Sequence, residues 1–324
     1  MCVDCTATVK NLFKLIYIIN NMTQNIKITF LGTSSSIPTK TRNHISILIN
    51  YKDENILVDC GEGTQRQLRK ADINPCKITR LLITHFHGDH TFGIPGLVHT
   101  LALNNYKKIL YIYGPKGTKR FIEKIFETFV QGEKIKYEAK EVSNKFLETN
   151  DFKLIAQRLE HNANCNGYLF EEKDKIRIDK DKLKKLKIPN IQEISKLLKG
   201  KNIRYNNQTI KAKNLTYKQK GKKISFILDT RYCENAIKLA KDSELAIIES
   251  TFLEDSENGK QLAKEYFHLT AKQAAQIAKQ GKAKQLILLH PSQRYEYKEN
   301  LLVNEAKKIF PNTKFAEDFM KLEI

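Results

Sequence analysis

Short apolar segments alternate with longer amphipathic segments along this chain from residue 26 onward. The short segments are rich in leucine and β-branched residues, which is typical of buried strands, whereas apolar positions in the longer ones recur with the period of a helix. Strands are predicted near residues 26–31, 45–50, 55–59, 79–84, 109–113, 153–158, 166–170, 224–229, 245–249 and 286–290, and helices near residues 63–71, 117–129, 234–241, 270–280 and 299–309. Many strands with interspersed helices indicate sheets covered by helices, a layered α/β arrangement.

The segment before the first strand, residues 1–24, stands apart from this pattern. Met22 lies just before that strand, so the segment is either an N-terminal extension or a misassigned start. Its apolar stretch, Leu12–Ile19, contains Lys14 and is far shorter than a membrane span. We therefore predict no signal peptide, no transmembrane helix and no membrane partner.

Residues 25–324 are predicted to form one domain that carries an inserted arm. The arm, about residues 173–223, consists of basic and weakly amphipathic pieces that Pro189 and Gly200 separate. No internal repeat or low-complexity linker divides the rest of the chain. Its hydrophobic content of 41% is sufficient for a sizeable core.

A cluster of candidate metal ligands follows the predicted strand at residues 79–84. His85, His87, Asp89 and His90 lie within six positions, and Gly88 permits a sharp bend between them. A lone histidine is usually a satisfied core or surface residue, but four such residues at this spacing are typical of a metal site. Imidazole and carboxylate ligands suit zinc, with manganese or iron as alternatives, and the absence of cysteine disfavours a closed structural zinc site. The cluster therefore predicts a hydrolytic metal centre.

Three more polar residues terminate apolar strands elsewhere in the chain. His161, Asp229 and His290 follow the predicted strands near 153–158, 224–229 and 286–290. Each of these residues, taken alone, could be a turn or capping residue, a position that is common for aspartate. Because loops converge at strand ends, the three together are predicted to complete a site for two metal ions.

Positive charge is concentrated in the predicted arm. The 324-residue chain has 56 lysines and arginines against 36 acidic residues, a net charge of +20. Between Lys182 and Lys223 there are thirteen lysines and Arg204 against one acid, Glu193. A charge run is most often a solvated face. Together with a hydrolytic metal centre, however, it favours contacts with the phosphates of a nucleic acid.

The six cysteines have no spacing that indicates a disulfide framework. Scattered cysteines in a chain of this size are typical of a reduced protein. We therefore predict a cytoplasmic location.

Several separate motifs resemble those of the ribonuclease Z family, which belongs to the metallo-β-lactamase superfamily and matures tRNA 3′ ends. Besides Thr84–His90, these motifs are Asp59–Gln67, the substrate loop Pro38–Asn43, His161 with Gly167–Tyr168, Asp229–Arg231, His268–Ala271, and His290 with Arg294–Tyr295. They occur in the family's order and span roughly residues 26 to 320. Leu228, Pro291 and Ser250 depart from the family pattern, and the arm lacks the Gly-Pro motif of many family arms.

The resemblance implies a metallo-β-lactamase αββα sandwich whose inserted arm, about residues 173–223, binds tRNA. It implies two zinc ions per subunit, with manganese or another divalent metal as an alternative. The ligands it implies are His85, His87 and His161 for one ion, Asp89, His90 and His290 for the other, and Asp229 as a bridge. It further implies that Asp89 accepts the proton of the nucleophile and that Glu249 with His268 supplies a proton to the leaving 3′ oxygen.

The same resemblance implies that Lys40, Arg42, Asn43 and Arg294 bind substrate. It further implies a homodimer that cuts pre-tRNA after the discriminator nucleotide, leaving a 3′ hydroxyl on the tRNA and a 5′ phosphate on the trailer. One alternative is another hydrolase of the superfamily, a phosphodiesterase or a thioester or lactam hydrolase, which leaves the basic arm unexplained. A tRNA-binding module without catalysis requires a missing ligand, and all seven ligands are present.

Overall fold

Two seven-stranded mixed sheets lie face to face in the computed structural model, which describes residues 25–130, 135–186 and 193–324. The strands of the first sheet are β1 (Lys27–Gly32), β2 (Ser46–Tyr51), β3 (Glu54–Val58), β4 (Arg80–Leu82), β5 (Ile109–Gly114), β6 (Lys136–Glu141) and β18 (Lys321–Glu323). Their order is β18-β1-β2-β3-β4-β5-β6. The strands from β3 to β6 are parallel, whereas β18, β1, β2 and β3 pair antiparallel.

The second sheet is built from the later part of the chain. Its strands are β7 (Asn144–Glu148), β8 (Phe152–Glu160), β9 (Asn164–Glu172), β14 (Lys223–Ile227), β15 (Leu245–Glu249), β16 (Gln285–Leu289) and β17 (Thr313–Phe315). Their order is β17-β16-β15-β14-β9-β8-β7. The strands from β14 to β17 are parallel, and β7, β8, β9 and β14 pair antiparallel.

Helices cover the outer faces of both sheets. The helices of the described residues are α1 (Thr64–Lys70), α2 (Gly88–Thr91), α3 (Ile94–Leu103), α4 (Thr118–Phe129), α5 (Lys180–Lys185), α6 (Ile194–Leu198), α7 (Ala212–Leu215), α8 (Glu234–Ala240), α9 (Gly259–Tyr266), α10 (Ala271–Gln280) and α11 (Glu299–Lys307), with 3-10 turns at Pro75–Lys77 and Gln293–Tyr295. α1, α3 and α4 share an apolar cluster with the first sheet. α8, α10 and α11 share another with the second sheet.

The central core lies between the two sheets. Its fully buried side chains come from both sheets and include Phe30, Ile47, Phe226 and Ile287. The central strands of both sheets are buried on both faces and are therefore apolar almost throughout, as the sequence pattern predicted. The predicted layered α/β arrangement is confirmed, with helix, sheet, sheet and helix in succession.

The residues predicted as an inserted arm lie between β9 and β14, which are neighbours in the second sheet. Two small two-stranded antiparallel sheets occupy this segment: β10 (Lys175–Ile178) pairs with β13 (Thr216–Gln219), and β11 (Ile203–Tyr205) pairs with β12 (Gln208–Ile210). Five side chains form a separate apolar cluster here, namely Ile194, Leu197, Ile203, Ala212 and Leu215. Pro189, which the sequence analysis took as a break in the arm, and residues 1–24 lie outside the described residues.

Among the described helices, none combines the length and the hydrophobicity that are needed to cross a membrane.

Candidate metal centre and active site

The candidate ligands converge because loops from both sheets end at the same place. In the first sheet, β4 leads into the loop and short helix that carry His85, His87, Asp89 and His90. In the second sheet, His161, Asp229 and His290 follow the ends of β8, β14 and β16. The structure thus brings all seven predicted ligands together, in two groups that share Asp229.

The first group consists of His85, His87, His161 and Asp229. The Nδ1 atom of His87 lies 2.9 Å from Nε2 of His85 and 3.3 Å from Nε2 of His161. The Oδ2 atom of Asp229 lies 3.7 Å from Nε2 of His85 and 3.9 Å from Nε2 of His161. Three imidazole nitrogens and one carboxylate oxygen that face a common point are a typical zinc ligand set.

The second group consists of Asp89, His90, His290 and the other oxygen of Asp229. Oδ1 of Asp229 lies 3.4 Å from Nε2 of His90 and 3.2 Å from Nε2 of His290. Oδ2 of Asp89 lies 3.4 Å from each of the same two nitrogens. Since the two oxygens of Asp229 point into different groups, this carboxylate is placed to bridge two ions.

The chemistry of these atoms fits divalent metal ions. Nε2 of His90 and Oδ1 of Asp229 are buried and have no hydrogen-bond partner among the described residues. Buried polar atoms are rarely left in this state unless an ion or water satisfies them. Burial also lowers the pKa of His85, His87 and His161, which favours the neutral imidazole that metal coordination requires.

Negative charge is in excess around His90. Burial lowers the pKa of this histidine, but the carboxylates of Asp229, Asp89 and Asp59 outweigh burial and raise the pKa well above its ordinary value. Three buried carboxylates around one imidazole are costly without further positive charge. A bound cation would supply that charge.

Asp59 orients His90, a role that the sequence analysis did not assign although it noted the surrounding motif. Its Oδ2 atom lies 2.7 Å from Nδ1 of His90, and the Thr84 backbone N–H and hydroxyl both donate to its carboxylate at 2.7 Å. The Asp59 backbone is left-handed, with φ of 55°, which aspartate tolerates better than most residues. A carboxylate behind a metal-binding histidine fixes its tautomer and ring orientation.

Glu249 and His268 form a second pair beside Asp229. Glu249 is fully buried at the end of β15, and its Oε1 atom lies 3.0 Å from Nδ1 of His268. The Thr230 backbone N–H and the Thr251 hydroxyl donate to the same carboxylate at 2.8 and 2.6 Å. Burial lowers the pKa of His268, but the Glu249 and Asp229 carboxylates outweigh it and raise the pKa to about 9. The pair is therefore an imidazolium held in a fixed orientation near the ligand groups.

Thr270, two residues after His268, is the N-cap of α10. Its hydroxyl accepts from the Gln273 N–H, and the Gln273 side chain accepts from the Thr270 N–H, which together form a capping box. His268 lies two residues before this cap, outside the helix. The capping function therefore belongs to Thr270 and leaves the His268 imidazole available to the site.

Of the four residues predicted to bind substrate, Lys40, Asn43 and Arg294 are at least partly exposed. Lys40 and Arg294 are exposed, and the Arg294 guanidinium lies 5.3 Å from the centroid of the Phe252 ring. Asn43 is half-buried, and its amide donates to the Glu62 carbonyl at 2.6 Å. These positions leave Lys40 and Arg294 free to meet a ligand.

The fourth residue, Arg42, has a different environment from the one predicted. Only 7% of it is exposed, and its Nε atom pairs with Glu299 at 2.7 Å. Its Nη1 atom donates to the Thr33 hydroxyl and to the Ala316 carbonyl, and the guanidinium lies 5.0 Å from the Phe315 ring centroid. A guanidinium enclosed in this way holds the substrate loop against the C-terminal part of the chain and presents little surface to a substrate.

Replacing Arg42 with alanine is therefore expected to destabilise the fold by about 2–4 kcal/mol, because Glu299 loses its buried partner. Urea unfolding of the variant measures this change. Lys40→Ala on the same loop is the matched control, and because Lys40 is exposed it should change the free energy of unfolding by less than about 0.5 kcal/mol. Equal stability of the two variants would contradict the structural role of Arg42.

The chain is similar to known proteins over most of its length. Residues 26–300 match the model of the family described as "Anti-Pycsar protein Apyc1". A ribonuclease Z from Methanothermobacter thermautotrophicus is 38% identical over 301 residues, which are 92% of this chain and 97% of the relative. A ribonuclease Z from Bacillus thuringiensis (strain Al Hakam) is 37% identical over 319 residues, covering 92% of this chain and 99% of the relative.

Solved structures agree with these sequence relatives. The crystal structure of human tRNase Z, short form, has a TM-score of 0.66 and 28% sequence identity, and the match covers 91% of this chain and 98% of that chain. The metallo-β-lactamase fold protein YhfI from Bacillus subtilis has a TM-score of 0.66 at 18% identity, covering 93% of this chain and all of the other. The second likeness shows the fold alone, and it confirms that the layered arrangement is the metallo-β-lactamase fold.

Proposed function

This chain belongs to the ribonuclease Z family, and we propose that it is a zinc-dependent endoribonuclease that removes the 3′ trailer of pre-tRNA. Cleavage after the discriminator nucleotide would leave a 3′ hydroxyl on the tRNA and a 5′ phosphate on the trailer. The chain also matches the family model described as "Anti-Pycsar protein Apyc1" over residues 26–300. The matches to the relatives named ribonuclease Z cover 97% and 99% of those proteins, which supports the assignment to ribonuclease Z.

One observation carries the proposal: two ligand groups share Asp229, and an imidazole paired with a carboxylate lies beside them. We propose that His85, His87 and His161 hold one Zn²⁺, that Asp89, His90 and His290 hold the other, and that Asp229 bridges them. Nitrogen and carboxylate ligands also accept Mn²⁺ or another divalent metal. Two such ions, when bound, supply Lewis acidity at the scissile phosphate and lower the pKa of water.

Asp89 is placed to act as both ligand and base. Burial raises the pKa of its carboxyl, but the His90 charge and hydrogen bonds from His290 and His90 outweigh burial and hold the pKa below its usual range. It is therefore a carboxylate at neutral pH. Because one oxygen faces His90 and His290, the other is available to take the proton of the attacking water.

His268 is placed to protonate the leaving 3′ oxygen. Its Nδ1 atom faces Glu249 at 3.0 Å, so Nε2 points away from that carboxylate. Glu249 keeps the ring charged and oriented, as in other carboxylate and histidine pairs that donate protons. A charged imidazole beside the bridging Asp229 can give its proton to an oxygen that departs from phosphorus.

We propose that the arm and the exposed part of the substrate loop bind the phosphates of pre-tRNA. Lys40 and Arg294 are exposed, and the arm carries a strong excess of lysine. Phosphate contacts position a nucleic acid without reading its sequence. These residues would therefore select the class of substrate, while the metal centre selects the bond.

We further propose that the protein is a cytoplasmic homodimer, as the family implies. In the part of the chain that the structure describes, Cys60, Cys76, Cys165 and Cys233 are all free. Free thiols are consistent with a reducing compartment. Sedimentation of the purified protein tests the oligomeric state.

Incubation of the purified protein with a 3′-extended pre-tRNA, with and without chelator, tests the proposed function. We expect one cut after the discriminator nucleotide, loss of cleavage when the metal is removed, and recovery when Zn²⁺ is restored. End mapping should find a 3′ hydroxyl on the tRNA and a 5′ phosphate on the trailer. Hydrolysis of a small phosphodiester or thioester without any cut in pre-tRNA would instead favour the alternative, another hydrolase of this fold.

Replacing residues 182–213 of the arm with a short glycine-serine linker is expected to weaken pre-tRNA binding by about 10²-fold. The deleted segment contains nine lysines and Arg204 against Glu193. Each lost phosphate contact should also reduce the slope of log affinity against log salt by roughly 0.9. The deletion leaves β10 and β13 in place, because Ile178 pairs with Thr216 beside the cut.

Binding measured over a range of salt concentrations checks this expectation, with hydrolysis of bis(p-nitrophenyl) phosphate as the control for an intact metal site. That hydrolysis should be unchanged. A salt slope equal to that of the full chain would exclude the arm from the RNA interface.

A further inference from the structure

The arm joins the second sheet at a narrow base where both of its chain segments meet Glu172. Glu172 is the last residue of β9, and its backbone N–H donates to the Lys222 carbonyl at 2.9 Å. The Lys222 N–H donates back to Oε2 of Glu172 at 3.3 Å. Gly221 next to it has no room for a side chain, because a Cβ atom would overlap the Glu172 carbonyl oxygen. The outgoing and returning segments are therefore held by one residue.

The Glu172 side chain also reaches the first sheet. Its Oε1 atom accepts from the Tyr51 hydroxyl at 2.8 Å, and Tyr51 is at the end of β2 with 1% exposure. The same oxygen accepts from Nζ of Lys175, the first residue of β10 in the arm. The Lys175 ammonium in turn lies 5.5 Å from the Tyr51 ring centroid. One carboxylate thus connects the first sheet, the second sheet and the arm.

Charge and burial favour this connection. Glu172 is 8% exposed, and a buried carboxylate is unfavourable unless it is paired and hydrogen-bonded. Burial raises the pKa of Glu172, but the hydrogen bonds from Lys175 and Tyr51 outweigh burial, so the group stays ionised at neutral pH. Burial and the neighbouring Glu172 raise the pKa of Tyr51, which keeps its hydroxyl a donor.

A second contact supports the same base from the side. The Lys173 backbone N–H donates to the Asp151 carbonyl at 2.8 Å, and the Asp151 carboxylate pairs with Lys52 next to Tyr51. Beyond the base, the apolar side chains of the arm pack in a cluster of their own. The orientation of the arm is therefore set mainly where it leaves the sheet.

We propose that Glu172, through the Tyr51 hydroxyl, is a positioning residue that fixes the direction of the arm and so aligns its basic surface with a bound RNA. The proposal rests on the proposed function, since it takes pre-tRNA as the ligand of the arm. It assigns no role to Glu172 in the chemistry at phosphorus. Loss of the connection should then weaken RNA binding while the metal site remains competent.

Glu172→Gln keeps the shape of the side chain and removes its charge, and Tyr51→Phe removes only the hydroxyl. For both we expect the KM for pre-tRNA to rise roughly 3- to 30-fold with kcat nearly unchanged. The rate of bis(p-nitrophenyl) phosphate hydrolysis should equal that of the unaltered protein. Amide hydrogen exchange should become faster in β10 and β13.

Glu171→Gln is the matched control, because Glu171 is the preceding residue of β9 and its side chain points to the opposite face of the sheet. It loses the same charge and should change neither KM nor hydrogen exchange. An unchanged KM for pre-tRNA in Tyr51→Phe and Glu172→Gln, or a rise in KM of equal size in Glu171→Gln, would overturn the proposal.

Three outcomes of these measurements have distinct meanings. If Glu172→Gln fails to fold and loses small-diester hydrolysis, Tyr51→Phe alone decides the proposal by the same measurements. If the unaltered protein does not cut pre-tRNA, the proposed function fails, and the arm proposal fails with it because its ligand is wrong. An intact function combined with unaltered binding in the variants rejects only the positioning role.

Discussion

Alanine in place of Asp89 is expected to reduce the turnover of a 3′-extended pre-tRNA by about 10³-fold or more. The substitution removes a ligand oxygen that lies 3.4 Å from Nε2 of both His90 and His290, and it removes the proposed base as well. Affinity for the RNA should change by about threefold at most, because no basic residue is lost. Single-turnover rates and filter binding separate these two quantities.

The metal content of Asp89→Ala tests independently whether Asp89 is a metal ligand. We expect fewer than two divalent ions per chain, measured by elemental analysis, because one of the two ligand groups is incomplete. Asp53→Ala is the control, since Asp53 is an exposed carboxylate in the turn between β2 and β3. Turnover by Asp89→Ala equal to that of Asp53→Ala would contradict the assignment of Asp89.

The second large effect concerns His268, whose replacement by alanine is expected to slow pre-tRNA cleavage by about 10²- to 10⁴-fold. The 3′ oxygen of an RNA leaves poorly without a proton. A p-nitrophenolate leaves readily without one, so hydrolysis of bis(p-nitrophenyl) phosphate should slow far less. The ratio of the two rate losses therefore measures proton donation separately from any damage to the metal site.

An exposed histidine serves as the control for His268. His99 on α3 contacts the Phe129 carbonyl through Nε2 at 2.7 Å, and His99→Ala should leave both rates unchanged. Glu249→Gln should show the same leaving-group dependence as His268→Ala, with a smaller loss, because it weakens the charge on the imidazole without removing the ring. Equal losses on both substrates would assign His268 to the architecture of the site and not to proton transfer.

Much of the fold could be predicted because its strands are buried on both faces and read as continuous apolar runs. The predicted strands at 45–50 and 55–59 are confirmed as β2 and β3 within one residue at each end. The predicted strand at 79–84 is shorter, with only Arg80–Leu82 in the ladder. The strand ends early because the Thr84 backbone N–H donates to the Asp59 carboxylate and not to a neighbouring strand.

Elements with weaker patterns were missed. The strands β6 and β7 are largely half-exposed or exposed and carry alternating charges, so they lack an apolar signal. The helix α3 has Pro95 as its second residue and Gly96 as its third, and the sequence analysis predicted no element there. The edge strands β17 and β18 have three residues each, too few to show a period.

At the site, residues that end strands were easier to predict than residues that act through partners distant in sequence. Asp229 and His290 follow parallel strands, and such strand ends meet at one edge of a sheet. Asp59 pairs with a histidine 31 positions later, and no local pattern indicates that contact. Arg42 pairs with Glu299, which is 257 positions away, so its burial becomes visible only in the folded chain.

The division of the metal ligands between the two sheets has a consequence for folding. Asp89 and His290 are 201 positions apart, yet their side chains lie 3.4 Å from each other. A bound ion here would act as a cross-link that closes a very long chain loop, and clips that close long loops are expected to stabilise a fold most. It would also shift the unfolding equilibrium by mass action with free metal. A chain in which only one sheet has formed has at most four of the seven ligands, so the ability to cut RNA would appear only once the two halves of the protein have docked.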